Sequence, residues 1–313
     1  MKTLLVKLKF KTELHIGETT NILTKIDNII HSDTLFSAII NMYCLIFGLD
    51  KTEILVQKII NENYLRISSA FYFYKDKLLV PKPFGIKLNS DDPENYKKIK
   101  KLRFIPFDLL YNPKKFWNLS KNEIESIYNI NKSLTVEDER PRVSIDRITN
   151  SSNIYYISYY YLSNDSGMWF FLQVNPEVEK EVVTTIKVLG DEGIGGERTY
   201  GFGLFYPTFE EYKLPNVEDQ SLFINLSLTN PTKEEIASIK YYSIKTRKGY
   251  IYSPYISGIK HKEINVLEEG SVFNSEIKGR AIDVTPKNFS KHKVYKFYTA
   301  FCLPVSFELF KKQ

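Results

Sequence analysis

The chain has 313 residues, 43% of them hydrophobic and 26% charged, with a net charge of +6 at neutral pH. That is enough chain for two domains with cores of their own, and its charge falls short of the strongly basic footprint of a stand-alone nucleic-acid domain while still leaning toward polyanions. Two cysteines, Cys44 and Cys302, stand far apart in apolar stretches; they exclude a disulfide framework and read as buried thiols in a reducing compartment.

From the N-terminus, Leu4, Val6, Leu8 and Phe10 alternate with Leu5, Lys7, Lys9 and Lys11, which gives a strand with one apolar face and one largely basic face. The basic face is a candidate platform or a solvated outer surface. Lysines at 2, 7 and 9 interrupt the apolar residues in a strand pattern unlike a secretory h-region, and the longest apolar-leaning run, Leu35 to Leu49, is interrupted by Ser37 and Asn41 and is too short to span a bilayer. The expected setting is the cytoplasm, with no membrane contact. A helix opens at His31-Ser-Asp-Thr-Leu-Phe-Ser-Ala, capped by Ser32 or Asp33, and carries an apolar stripe that ends at Gly48. Residues 64 to 86 read as two strands around Lys75-Asp76-Lys77. Between Lys87 and Pro141 the pattern breaks up into an insertion with a basic run at 97–103 and a helical stretch from Asn122 to Tyr128.

Ile154 to Leu162 and Met168 to Val174 read as a hairpin closed at 163–167. Asn175-Pro176-Glu177 then starts a helix with Val178, Val182, Ile186 and Leu189 at helical spacing, and Gly190 stands where a C-terminal cap belongs. Asp191 to Phe205 follows, with five of the chain's 14 glycines (193, 195, 196, 201 and 203) and Arg198 among them, before a strand from Phe202 to Phe209. The order is helix, loop, strand. A dinucleotide fingerprint needs strand, loop, helix, and a P-loop needs lysine where Phe202 stands, so neither nucleotide motif is present. Glycines here let a ligand or another chain approach peptide N–H groups, or they serve tight packing alone. After Lys213-Leu-Pro-Asn216 a second unit begins: a strand at 222–228, a short helix from Asn230-Pro231 to Ile239, and strands at 241–245, 250–252, 263–267 and 295–301. The sum is a β-α-β-β-α-β pattern followed by a degenerate second one, which is α+β in class and has the arithmetic of ferredoxin-like (RRM-like) folds.

Arg140, Arg142 and Arg147 place three guanidiniums in eight residues at the edge of the insertion, suited to phosphate or base contacts or to pairing with Glu137, Asp138 and Glu139. Lys248 to Tyr255 partly echoes the aromatic strand of an RNA-recognition motif, although Ile251 and Ser253 break the pattern. The four histidines, at 15, 31, 261 and 292, have no metal-site spacing, and no nucleophile-elbow serine occurs. His15 and His31, near the ends of the first strand and first helix, are either packing residues or the acid and base of a metal-independent ribonuclease.

The first strand, the His31 helix opening, the Arg142-Val-Ser-Ile-Asp-Arg147-Ile-Thr segment and the Gly193–Gly203 loop together resemble the RAMP superfamily of CRISPR proteins, and within it the subunit of type III-A (Csm) effector complexes that caps the 5′ end of crRNA. The Pro-Gly-Ser-Ser-Leu-Lys-Gly type of helix opening found in RNA-cutting backbone subunits is missing, so Asp33 is read as a cap rather than a cleaving aspartate. The resemblance implies two ferredoxin-like domains, 1–212 with a thumb-like insertion at about 87–141 and 217–313, the glycine-rich loop lying before the last strand of the first. It implies a non-catalytic subunit without cofactor or metal that binds the repeat-derived 5′ handle, docks on the large polymerase- and cyclase-like subunit and reaches an adjacent backbone RAMP subunit. RNA contacts would fall on Gly193, Gly195, Gly196, Arg198, Tyr200, Gly201 and Gly203, on Arg140, Arg142 and Arg147, and on Lys248 and Tyr250. The rival readings are a repeat-processing endoribonuclease of the same superfamily and a protein–protein scaffold whose glycine loop only packs.

Overall fold

The computed structural model describes residues 1–17, 23–86, 93–217, 220–251 and 258–311. Its N-terminal half is built on β1 (Lys2–Phe10), α1 (Ser32–Phe47), α2 (Leu49–Glu62), β2 (Leu65–Ile67), β3 (Phe71–Tyr74), β4 (Lys77–Pro81), α3 (Pro93–Lys101), β5 (Phe104–Pro106), α4 (Pro113–Trp117), α5 (Lys121–Ser133), β6 (Thr135–Ile145), β7 (Ser152–Leu162), β8 (Ser166–Val174), α6 (Pro176–Glu192) and β9 (Phe205–Glu211). One antiparallel sheet runs in the order β5-β4-β3-β8-β1-β9, with β2 also paired to β8. The near-continuous apolar run of β8 requires cover on both faces, and every residue from Ser166 to Leu172 is buried. Trp169 and Phe171 meet Phe107 of the 3-10 turn Phe107–Tyr111, and Phe171 stacks on Phe301 of the C-terminal half at 5.7 Å.

The C-terminal half contributes β10 (Gln220–Asn225), β11 (Ile239–Tyr241), β12 (Ile244–Arg247), β13 (Ile264–Leu267), β14 (Val272–Phe273), β15 (Gly279–Asp283), β16 (Tyr295–Thr299) and β17 (Cys302–Ser306). They form a sheet β11-β14-β10-β17 and the ribbons β12-β13 and β15-β16. Both halves feed one continuous apolar core. Phe36 of α1 stacks on Phe297 of β16 at 3.9 Å, Ser69 donates its N–H to Leu226 O at 2.8 Å, and Arg66 reaches Ala300 O at 2.6 Å.

Several expectations change. β7 does not pair with β8: it pairs with β6 over eleven residues, from Thr135 opposite Leu162 to Ile145 opposite Ser152, because β8 is already flanked by β1, β3 and β2. The insertion is ordered through much of its length, holding α3, α4, α5 and β6, and it sends β5 into the main sheet; its first residues, 87–92, and Tyr252 to Tyr255 of the aromatic segment lie outside the described residues. The short helix expected up to Ile239 is only a 3-10 turn, Glu234–Ser238. α6 begins as read, with Asn175 Oδ1 accepting from Glu177 N at 3.0 Å, but it runs past Gly190 to Glu192 and is capped by Gly193. At α1 neither Ser32 nor Asp33 caps: the N-cap residue is His31, and the Ser32 N–H donates instead to Ser69 Oγ at 2.8 Å.

The basic face of β1 is largely engaged. Lys9 donates to the carbonyls of Asn164 and Ser166, and Lys11 lies 3.4 Å over the Tyr206 ring and 3.6 Å from Asp191. Cys44 is half-buried, and burial pushes the Cys302 thiol up to about 12. Among the described residues no helix is long and apolar enough to cross a membrane, and no group of His, Cys, Asp or Glu is placed to hold a metal ion.

Candidate nucleic-acid interface

The glycine loop leaves α6, passes against Glu13 and His15 and enters β9. Its peptide groups are mostly engaged by that path. Gly193 N donates to Leu189 O, Gly196 N to His15 O at 2.8 Å, Gly201 N to Arg198 O and Gly203 N to Glu13 O at 2.7 Å. Glycine is needed for close approach: a Cβ on Gly203, whose φ is +75°, would stand 2.0 Å from Ile194 O, and one on Gly195 would stand 2.5 Å from His15 O. A cradle made from all the loop's amides is therefore corrected; these four donors serve the loop's own shape. What the loop holds outward is the 3-10 turn Arg198–Tyr200, with Arg198 exposed and Tyr200 62% exposed.

That turn borders a cleft of about 340 Å³. Gly193 to Gly196 and Arg198 form one wall, Thr34, Ala38, Asn41, Met42 and Leu45 of α1 another, and Tyr250 of the C-terminal half closes it. The structure thus brings the loop, α1 and Tyr250 to one place. Arg142 joins them from the β6-β7 ribbon, its guanidinium 4.0 Å over the Tyr200 ring. Arg140 is turned inward: it pairs with Glu13 at 3.0 Å and lies over Tyr159 and Phe202, so its partner is Glu13 rather than Glu137, Asp138 or Glu139. Arg147 is not among the residues lining the cleft; it is exposed in the turn that joins β6 to β7. Lys248 sits 3.8 Å from Glu263, and Tyr250 bridges to Lys260.

Both candidate catalytic histidines are buried. His15 is 6% exposed with Nδ1 bonded to Ser158 O at 2.6 Å. His31 is 3% exposed between two carboxylates, Nδ1 at 2.7 Å from Glu269 Oε1 and Nε2 at 3.0 Å from Asp27 Oδ2. Burial pushes its pKa down, but Glu269 and Asp27 outweigh it and lift the imidazole to about 9; Lys245 Nζ also stands 2.9 Å from Nε2.

Sequence reasoning missed the cluster around it. Asp33, 2% exposed, is bound by both arms of Arg247, Nε to Oδ2 at 3.1 Å and Nη2 to Oδ1 at 3.0 Å. Lys245 donates to Asp27 at 2.8 Å. Burial opposes ionisation of both aspartates, yet His31 and Lys245 hold Asp27, and Arg247 and Lys296 hold Asp33, well below the usual carboxylate range. Three carboxylates thus meet His31, Lys245 and Arg247 across the junction of the two halves. The partners lie more than 200 residues apart in the chain; the alternation of Lys245 and Arg247 within a strand is the one local sign.

Residues 7–206 match the RAMP superfamily, and residues 218–305 match the CRISPR Csm4 C-terminal domain. The chain is 27% identical to CRISPR system Cms protein Csm4 of Methanocaldococcus jannaschii, over 92% of this chain and 90% of that one, and 28% identical to the Thermococcus onnurineus protein of the same name, over 78% and 82%. Among solved structures, a chain of the Csm3-Csm4 subcomplex in the type III-A CRISPR-Cas interference complex shares the fold with a TM-score of 0.67 at 23% identity, covering 98% of this chain and 100% of that one. A chain of the Csm1-Csm4 cassette in complex with pppApA gives 0.65 at 22% identity, with 98% of each chain covered. The resemblance read from the residues is borne out.

Proposed function

The chain belongs to the RAMP superfamily, and from that premise we propose that it is the crRNA-binding subunit of a type III-A CRISPR interference complex, gripping the repeat-derived 5′ handle without turnover. The observation that carries this reading is the cleft, in which the glycine loop, one face of α1 and Tyr250 from the other half converge beside an exposed arginine. Single-stranded RNA is held by cations along its backbone and by aromatic faces against its bases. Arg198 supplies the charge, Tyr200 and Tyr250 the faces, and Arg142 and Lys248 flank them. Packing keeps the glycine loop in one shape, so Arg198 and Tyr200 are presented before RNA arrives. Arg140 supports this wall from behind through Glu13, and Arg147 meets RNA or protein at the ribbon tip.

We read the halves as two ferredoxin-like domains, 1–212 with its insertion and 217–313, the second degenerate. The strand order β9-β1-β8-β3 with α1 and α6 between strands supports the first. Relatives assembled as a Csm1-Csm4 cassette and a Csm3-Csm4 subcomplex support docking on the large polymerase- and cyclase-like subunit and on a backbone RAMP neighbour. The β6-β7 ribbon suits the second contact: Val143, Ile145, Ile154 and Tyr156 are each more than half exposed and fall on one face. Non-catalytic binding fits a buried His15 with Nδ1 bonded to Ser158 O and a buried His31 with both ring nitrogens bonded.

The test is binding of a synthetic RNA bearing the host repeat's 5′ handle across a salt titration. Arg198→Glu weakens binding and lowers the salt slope by about one ion or slightly less, with an unchanged melting curve; unaltered affinity and slope would leave the scaffold reading. Incubation with labelled repeat RNA in EDTA leaves the RNA intact. Site-specific cutting that His31→Ala or His15→Ala abolishes would establish the endoribonuclease instead.

A further inference from the structure

β12 alternates. Ile244 and Thr246 point to solvent, whereas Lys245 and Arg247 point into the junction between the halves. Both inward cations are held by the segment that opens α1. Lys245 takes Asp27, and Arg247 takes Asp33 with its fork and Thr34 Oγ1 with the same Nη2 at 3.1 Å. Thr34 lines the cleft, and so does Tyr250, which follows Arg247 by three residues. Arg247 therefore touches one cleft wall directly and governs the other through about 10 Å of extended chain. Beyond β12 the described residues are held by a short ladder, with Tyr250 bridged to Lys260, His261 N donating to Gly249 O at 3.0 Å and Ile251 N to Ile259 O at 2.9 Å.

We infer that Arg247, with Asp33 as its anchor and Lys245–Asp27 beside it, is a positioning residue that fixes Tyr250 against α1 and so sets the width of the RNA cleft. The inference rests on the cleft being the RNA site. Planarity is what suits arginine here: a bidentate fork fixes an orientation as well as a distance, whereas a lysine ammonium at the same place keeps the charge and loses the angle. Lys296 also bears on Asp33, but Arg247 bonds both of its carboxylate oxygens, and that fork is what compensates the burial of a side chain only 2% exposed.

The experiment uses the whole chain with 3-fluorotyrosine introduced at position 250 alone and the handle RNA as ligand, at a temperature well below melting. Arg247→Lys shifts the fluorine resonance without RNA and weakens RNA binding. Tyr250→Ala weakens it roughly tenfold, the scale of one lost base stack, and Arg247→Lys adds less than twofold in that background. Multiplying effects, or an unmoved resonance, would overturn the positioning role. A resonance that moves in a chain that does not bind the RNA would retain the positioning of Tyr250 and refute the cleft as the RNA site. Should Arg247→Lys fail to fold, Lys245→Gln serves in the same cycle, because that side chain is 18% exposed and its loss leaves the Asp33 fork intact.

Discussion

Replacing Asp33 with Asn removes a charge and nearly nothing else, which makes it the sharpest probe of the junction. The asparagine keeps the size of the side chain and one acceptor, but the Arg247 guanidinium, 13% exposed, is left with Thr34 at 3.1 Å and with Asp27 only at 4.0 Å. Losing one member of a buried pair costs about 3–5 kcal/mol, because the remaining charge stays desolvated. With about 2.1 cal/mol/K of unfolding entropy per residue, a chain of this length loses roughly 5–8 °C of melting temperature if it unfolds as one unit. One unit is what a core shared by both halves implies. Scanning calorimetry with a denaturant titration gives both numbers. The second half of the test is the double variant Asp33→Leu/Arg247→Met, which removes both charges and should recover most of the loss, since apolar replacements of a buried pair are often neutral. A single variant within 1 kcal/mol of the parent, or a double variant worse than the single, would refute the account of the junction as a set of mutually dependent charges.

Three further outcomes follow from other contacts. His31 titrates near 9 in the folded chain, against about 6.5 when unfolded, so its contribution is complete below about pH 6.5 and is lost as pH rises toward 9; unfolding free energy measured from pH 6 to 9.5 should fall by an order of 3 kcal/mol more in the parent than in His31→Gln. Two glycines of the same loop separate packing from backbone conformation: Gly201, with φ +83° and open space around it, tolerates alanine at about 1 kcal/mol, whereas alanine at Gly203 collides with Ile194 O and should open the loop to limited proteolysis. Val143→Ser with Ile154→Ser should change stability by no more than about 0.5 kcal/mol, as exposed positions do, yet reduce co-purification with the neighbouring backbone subunit.

The parts of the fold legible in the sequence are those whose signal is local. α6 announces itself through Asn175, Pro176 and the spacing of Val182, Ile186 and Leu189; β1 through alternation; the β3-β4 turn through Lys75-Asp76. β7 could be seen as a strand but not paired correctly, because adjacency in sequence favours the three-residue connection to β8 and only the competition from β1 and β3 for β8 decides otherwise. Glycine spacing located the loop, yet not the use of its amides, which depends on His15 and Glu13 passing within hydrogen-bond distance. Asp33 shows the same limit. A serine or aspartate before an apolar helix reads as a cap by local rules, and a guanidinium arriving from 214 residues away changes its role.

The cleft and the charge cluster are two sides of one segment. Residues 26 to 34 lead into α1, and along them Asp27, His31 and Asp33 face the C-terminal half while Thr34 faces the cleft. A purely apolar junction could hold the halves together equally well; Phe36 on Phe297 and Phe171 on Phe301 already do so. Apolar contacts, however, tolerate sliding, because they are non-directional. Bonds from Arg247 and His31 to particular carboxylate oxygens do not. If a nucleic-acid strand is to be held between side chains contributed by both halves, the directional bonds are the ones that keep Tyr250 in register with Arg198, and the desolvation of the six charged groups of the cluster is tolerated for that registry rather than for stability alone.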